Sequence, residues 1–152
     1  MSQTPTRIES RDVKKFLPGL YSAIEALGDS AEPAGLEKDL IELLNLRVSQ
    51  LNGCAYCVQY HTSNGRELGI PAEKLTLVVA WSESGIFTER EQAALAWAEA
   101  LTLIAQTHVP DEAFEAARKV FPEKELVGLT AAISAINVWN RIAVTFRYAP
   151  EI

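Results

Sequence analysis

The chain has 152 residues, of which 48% are hydrophobic and 22% are charged, and its 14 basic and 20 acidic residues give a net charge of −6. This length predicts one domain over residues 1–152 with a sizeable core, and the composition is that of an ordinary globular protein, which excludes extensive disorder. An acidic chain without a lysine or arginine cluster also lacks the basic patch that nucleic-acid binding requires.

Membrane insertion and secretion are not expected either. No run of apolar residues approaches the ~20 residues that cross a bilayer. Residues 1–9 are polar and lack the apolar stretch of a signal peptide. We therefore expect the protein to lie in the cytosol, without a membrane partner.

Hydrophobic periodicity predicts helices from the N-terminus onward, with almost no strand signal. The first candidate helix, residues 13–27, contains Pro18 and Gly19, which should split or kink it. A loop is expected over residues 29–35. Leucine and valine at helical spacing then predict a second helix over residues 36–51.

The pair Asn52 and Gly53 should separate this helix from the next. We expect Asn52 to be the N-cap of a helix that runs from Cys54, in the first turn, to about residue 68. Pro71 then suits the first position of a short helix that ends near residue 81, and a loop follows over residues 82–87.

The second half of the chain predicts three more helices. Thr88 and Glu91 have the spacing of a capping box ahead of an alanine-rich helix to about residue 106. A short helix is predicted over residues 110–120, and Pro122 opens a long final one. The fold class is therefore all-α, a compact helical bundle. The final helix is apolar on more than one side, which favours a central position or a contact in a homo-oligomer.

The segment from Cys54 to His61 carries the chemistry of this chain. At 3.6 residues per turn, Cys54, Cys57 and His61 fall within about 60° of one another on a helix, and the two Cα atoms would lie about 5 to 6 Å apart, as a disulfide requires. In a reducing compartment, two cysteines this close are typical of catalytic or metal-binding sites.

Two arguments compete over which thiol reacts first. Cys57 precedes His61 by one turn, so the imidazole can take its proton, whereas Cys54 benefits from the helix N-terminus. We favour Cys57 as the thiolate that meets an oxidant and Cys54 as the thiol that closes the disulfide. An external dithiol would reopen the bridge at the sulfur nearer solvent, which we expect to be Cys54.

The motif is longer than the cysteine pair. Glu42, eleven residues and then C-x-x-C-x-x-x-H resemble the active-site signature of the alkylhydroperoxidase D family, within the carboxymuconolactone decarboxylase-like superfamily. Residues 46–53 and 135–141 extend the resemblance, which covers most of the chain from residue 37 to residue 147.

This resemblance implies an all-helical fold of the alkylhydroperoxidase D-like type, trimers or hexamers, and reduction of hydroperoxides without a cofactor by a reversible cysteine pair. Cys57 would be the peroxidatic thiol, Cys54 its resolving partner, and His61 with Glu42 the proton relay. The reductant would be an unidentified dithiol. Tyr56 stands where alkylhydroperoxidase D itself has a second histidine between the cysteines. A neutral phenol cannot supply the same proton acceptor near pH 7.

Glu42 belongs by periodicity to a polar stripe, which is typical of a solvated face. If the chain folds back antiparallel after Asn52 and Gly53, however, Glu42 lies roughly 16 Å and His61 roughly 12 Å from the turn, and the two can meet. Their carboxylate and imidazole would then form a pair of base and orienting group.

Three other functions remain open for the same residues. Cys54, Cys57, His61 and Glu42 could bind zinc. The superfamily also includes acid–base enzymes such as a lactone decarboxylase, although their chemistry uses no C-x-x-C pair. A redox sensor or disulfide exchanger with weak peroxidase activity is the third. Away from this motif, polar residues of the final helix should contact buried partners or another subunit, namely Asn137, Asn140 and Arg141.

Overall fold

The computed structural model describes residues 4–151, and within this range the chain forms helices and no β-strand. This confirms the all-α prediction. The helices are α1 (Ser10–Phe16), α2 (Leu20–Asp29), α3 (Ala31–Ala34), α4 (Lys38–Leu51), α5 (Ala55–Glu67), α6 (Ala72–Leu77), α7 (Trp81–Ser84), α8 (Glu89–Thr102), α9 (Ile104–Thr107), α10 (Asp111–Val120) and α11 (Glu123–Phe146), with a 3-10 turn at Val78–Ala80 before α7.

Most predicted boundaries hold to within a few residues. Pro18 and Gly19 separate α1 from α2, and the capping box is present, since the Thr88 hydroxyl accepts from the Glu91 N–H at 3.2 Å and the Glu91 carboxylate accepts from the Thr88 N–H. Pro71 is the N-cap of α6 rather than its first residue.

Two loop predictions were wrong in part, because tertiary contacts add short helical turns. The expected loop over residues 29–35 contains α3, whose Ala31 is fully buried against α11. Gly35, at φ +114°, ends this turn in a conformation that glycine adopts without strain. The expected loop over residues 82–87 likewise begins with α7.

Helix α11 lies at the centre of the bundle, in contact with α2, α3, α4 and α8. The main core combines Leu40, Leu44 and Val48 of α4 with Leu129 and Ile133 of α11, all of them buried. The central position of α11 explains why this helix is apolar on several sides.

Helix α11 corrects the expectation that no apolar segment is long enough to cross a bilayer. α11 has 24 residues and, among the described residues, is the one helix long and apolar enough to cross a bilayer. Half of its most apolar stretch is buried inside the bundle, and it includes the buried polar residues Asn137 and Asn140. Packing in a core therefore accounts for its composition.

The contact between α3 and α11 yields a stability prediction. A Cβ at Gly128 would lie 2.6 Å from the Ala34 Cβ and 3.5 Å from the Ala31 Cα. We expect Gly128→Val to lower the free energy of unfolding by about 1–3 kcal/mol through overpacking. Urea denaturation measures this change. The matched control is Gly19→Val, where nothing lies within 4 Å of the added carbon. Equal midpoints for the two variants would contradict the prediction.

Candidate active site

The turn between α4 and α5 places the cysteines. Asn52 ends α4 as its C-cap, Gly53 follows at φ +64°, and Cys54 is the N-cap of α5 in an extended conformation. The predicted N-cap at Asn52 was therefore wrong by two residues. Asn52 instead closes the preceding helix with its N–H on the Val48 carbonyl, and Cys54 lies just outside the first turn.

Cys54 and Cys57 form a disulfide in this structure, with Cα atoms 5.3 Å apart. The distance agrees with the one expected from helical spacing. The Cys54 Sγ also accepts the Cys57 backbone N–H at 3.2 Å, so it takes the place of the usual oxygen of an N-cap. The helix N-terminus therefore favours negative charge on Cys54 whenever the bridge is open.

Both sulfur-bearing side chains are buried. Cys54 is 1% exposed and Cys57 is 3% exposed, in a small cluster with Ala143, Tyr56 and Tyr148. The expectation that Cys54 is nearer to solvent was therefore wrong, because the C-terminal end of α11 and the residues after it pack over the turn. Neither cysteine is therefore accessible to an external dithiol in this conformation.

His61 and Glu42 meet across the α4–α5 pair. The His61 Nδ1 lies 2.8 Å from the Glu42 Oε2, and the two side chains are 11% and 15% exposed. Glu42 is therefore not on a solvated face, and the fold-back after the Asn52–Gly53 turn brings the pair together as expected. With the carboxylate accepting from Nδ1–H, the tautomer leaves Nε2 free to act as a base.

Aromatic rings surround the disulfide. Tyr56 stacks on Tyr60 with centroids 6.2 Å apart and meets the edge of Tyr148 at 6.0 Å. Burial raises the pKa of Tyr56, and burial followed by the hydrogen bond with Tyr21, at 2.8 Å between hydroxyl oxygens, raises the pKa of Tyr148. Both phenols are therefore neutral near pH 7. Tyr56 cannot replace the proton acceptor that a histidine would provide.

A buried amide network supports the turn from below. The Asn52 side-chain amide donates to the Oδ1 atoms of Asn137 at 3.0 Å and Asn140 at 2.9 Å. Asn140 in turn donates to the Ser49 hydroxyl at 3.1 Å. The expected buried partners of Asn137 and Asn140 are thus confirmed. The positioning role of Asn52 was missed, although two asparagines in an apolar helix signal that a polar partner must face them.

A cavity of about 410 Å³ adjoins the imidazole–carboxylate pair. Glu42 and His61 form part of its wall, with Tyr60 and residues of α2, α3 and α11. Neither cysteine lines it. Cys57 lies one helical turn before His61, so the cysteine pair is next to the cavity along α5 without lining it.

A zinc site requires several ligand side chains that point to one position, and no such group is found among residues 4–151. No three histidine, cysteine, aspartate or glutamate side chains are grouped there so that they could hold a metal ion. Cys54 and Cys57 are joined to each other, and His61 is held by Glu42.

Comparison with known sequences places this site in a family. The sequence model of the carboxymuconolactone decarboxylase family matches residues 18–100, which include Glu42, both cysteines and His61. The uncharacterized protein YdfG of Bacillus subtilis (strain 168) is 41% identical over 103 residues, 68% of this chain and 70% of that protein. The uncharacterized protein YnjA of Escherichia coli (strain K12) is 30% identical over 99 residues, 65% of this chain and 54% of that protein.

Solved structures agree with this placement. A protein of unknown function from Agrobacterium tumefaciens, proposed to be the antioxidant defence protein AhpD, is 42% identical to this chain and superposes with a TM-score of 0.89. The match covers 97% of this chain and 99% of that one. The AhpD core of a peroxidase-related protein from Ralstonia eutropha JMP134 has a TM-score of 0.78 at 23% identity, over 91% of this chain and 74% of that one. The debrominase Bmp8 has a TM-score of 0.77 at 21% identity, over 88% of this chain and 72% of that one. For these last two structures, both below 25% identical, the likeness concerns the fold alone. The chain therefore belongs to the carboxymuconolactone decarboxylase family and has the alkylhydroperoxidase D-like fold.

Proposed function

We propose that this protein is a thiol-dependent peroxidase that reduces hydroperoxides through a reversible Cys54–Cys57 disulfide. The observation that carries the proposal is the pairing of that disulfide, on one side of α5, with a histidine held by Glu42 one turn further on. This arrangement supplies a nucleophile, a resolving thiol and a base within one short helix.

The first step oxidises Cys57. His61 takes the thiol proton through Nε2, and the thiolate attacks the terminal oxygen of the hydroperoxide. The O–O bond breaks, sulfur loses two electrons and becomes a sulfenic acid, and the proton held by His61 goes to the departing alkoxide, which leaves as the alcohol.

The second step closes the bridge. The Cys54 thiol attacks the Cys57 sulfenic acid, the S–S bond forms and water leaves. An external dithiol then reduces the disulfide through a mixed disulfide and is itself oxidised. The N-terminal position of Cys54 on α5 stabilises its thiolate during this exchange.

The direct test of this proposal follows the two thiols. Reduced protein mixed with cumene hydroperoxide should lose both thiols and yield the alcohol in a ratio of one alcohol per disulfide. Mass spectrometry of the digested product should find Cys54 linked to Cys57 in one peptide. Thiol loss no faster than in a control with unfolded protein of the same sequence would reject the proposal.

Burial of both sulfurs favours a second candidate, a redox sensor or disulfide exchanger with slow peroxide turnover. Such a protein would form the same disulfide, so the product does not separate the two functions. The rate constant for peroxide and the reduction potential, measured on the same sample, separate them, because a sensor needs a stable oxidised state rather than rapid turnover. A homo-oligomer in the cytosol stays a prediction for either function.

A further inference from the structure

The cavity beside His61 has one apolar side, and polar groups form much of the rest of its wall. Residues of α2, α4 and α11 form its apolar wall, namely Ile24, Ile41, Ala135, Ile136 and Trp139. Leu68, the C-cap of α5, lines its exposed edge. At about 410 Å³ the cavity falls within the size range of small-molecule sites. An apolar group of a small organic molecule gains free energy when it leaves water for such a wall.

The ionisable groups around this cavity are mostly acidic. Glu25 and Asp29 of α2, Glu32 of α3 and Glu42 of α4 line the cavity, against the single ammonium group of Lys38. Lys38 is itself 3.5 Å from the Glu32 carboxylate. Glu25, Asp29 and Glu32 are exposed, so they form a negative entrance, while Glu42 is held by His61 deeper inside.

His61 is the second observation that points to a ligand. Its side chain is 11% exposed, its Nδ1 is hydrogen-bonded to Glu42, and its Nε2 makes no hydrogen bond with residues 4–151. This nitrogen is not fully buried, so it can take a hydrogen-bond partner from a molecule that occupies the space beside it. Because His61 lines the cavity, a ligand there can supply that partner.

We propose that this cavity binds the organic part of the hydroperoxide and selects uncharged, apolar hydroperoxides over those that carry a carboxylate. The inference rests on the proposed peroxidase function. The hydroperoxide group lies toward His61, and the Cys57 sulfur, released from Cys54 by reduction, turns about its Cα–Cβ bond toward it. A carboxylate on the substrate meets the negative entrance and has no cation within the described cavity to balance it, apart from Lys38, which Glu32 already pairs.

The test compares two substrates that differ in charge alone, cumene hydroperoxide and its para-carboxylate analogue. At an ionic strength of about 0.01 M, where the Debye length is about 30 Å, we expect kcat/KM to be about tenfold higher for the uncharged compound. At about 1 M salt, where the Debye length is about 3 Å, the ratio should shrink toward one. Single-turnover oxidation of the reduced protein gives the same ratio if the reductant is not available.

Charge reversal at the entrance identifies the residues responsible. Glu25→Lys should raise kcat/KM for the carboxylate compound relative to cumene hydroperoxide, and Glu25→Lys with Asp29→Lys should raise it further. The matched control is Glu112→Lys on α10, an identical change of net charge at a residue that does not line the cavity. This control should keep the wild-type ratio.

The outcomes separate the two proposals. Oxidation of the cysteines by neither compound rejects the peroxidase function and the selectivity with it. Oxidation by both compounds at equal rates overturns the selectivity alone and leaves the peroxidase function intact. The same conclusion follows if the ratio of the two kcat/KM values is equal in the Glu25→Lys and Glu112→Lys proteins.

Discussion

Replacing Cys57 with serine is expected to abolish hydroperoxide turnover, with a fall in kcat/KM of more than about a thousandfold. A serine hydroxyl stays protonated near neutral pH and is a far weaker nucleophile toward peroxide than a thiolate. The substitution changes one buried atom beside Ala143, Tyr56 and Tyr148, so the fold should survive. Thermal unfolding of the reduced proteins checks this, and peroxide consumption measures the loss.

Cys54→Ser is the matched control for this experiment. It removes the resolving thiol and keeps the proposed nucleophile, so one equivalent of peroxide should convert Cys57 to a sulfenic acid that a dimedone probe captures. The reverse pattern, with a sulfenic acid on Cys54 in the Cys57→Ser protein, would exchange the two roles. The N-cap position of Cys54 makes that exchange a real alternative. Activity that survives loss of both cysteines would instead favour an acid–base enzyme.

Local spacing predicted the distance between the two cysteines, and the family resemblance added Glu42 to the site. A separation of three residues determines the distance between the Cα atoms of Cys54 and Cys57, and a turn at Asn52 and Gly53 brings Glu42 to His61. These features depend on one helix or on two consecutive helices. Helical geometry specifies the first distance to within a few ångströms, whereas the second contact also needed the assumption of an antiparallel fold-back, because periodicity alone predicted a solvated position for Glu42.

The burial of the site depends on contacts that are distant in sequence, and it could not be predicted. Tyr148, near the C-terminal end of the chain, covers the disulfide, and its hydroxyl forms a hydrogen bond with that of Tyr21. Periodicity within α5 carries no information about either residue. The expectation of an accessible Cys54 failed for this reason, since a helix N-terminus is exposed only when nothing packs against it.

The same limit applies to the cavity. Glu25, Asp29 and Glu32 belong to ordinary polar positions of α2 and α3, and nothing in their local sequence relates them to His61. Packing of α2 on α11 places them around the same opening. A prediction of the cavity would need to know which helices contact each other in the bundle. Periodicity within each helix does not contain that information.

Removing the base should impair the peroxidase less than removing the nucleophile, yet by a large factor. We expect His61→Gln to lower kcat/KM by about 10²–10⁴-fold, the usual contribution of a positioned acid–base group. Glu42→Gln should cost less, about 10–100-fold, because the imidazole remains while the carboxylate that selects its tautomer is lost. Stopped-flow oxidation of the reduced proteins gives both factors.

A second measurement distinguishes proton transfer from mere support of the fold. If His61 draws the proton from Cys57, then alkylation of that thiol by iodoacetamide at pH 7 should slow in His61→Gln and, to a smaller degree, in Glu42→Gln. Glu91→Gln is the matched control, since Glu91 is a carboxylate of similar burial, 13% exposed against 15% for Glu42, and it is paired with Lys74 far from the cysteines in sequence. Loss of that ion pair should reduce stability and leave the alkylation rate as it is. Equal alkylation rates in all three variants and the wild type would remove His61 from the proton path, because a residue that only supports the fold does not change the thiolate population of Cys57.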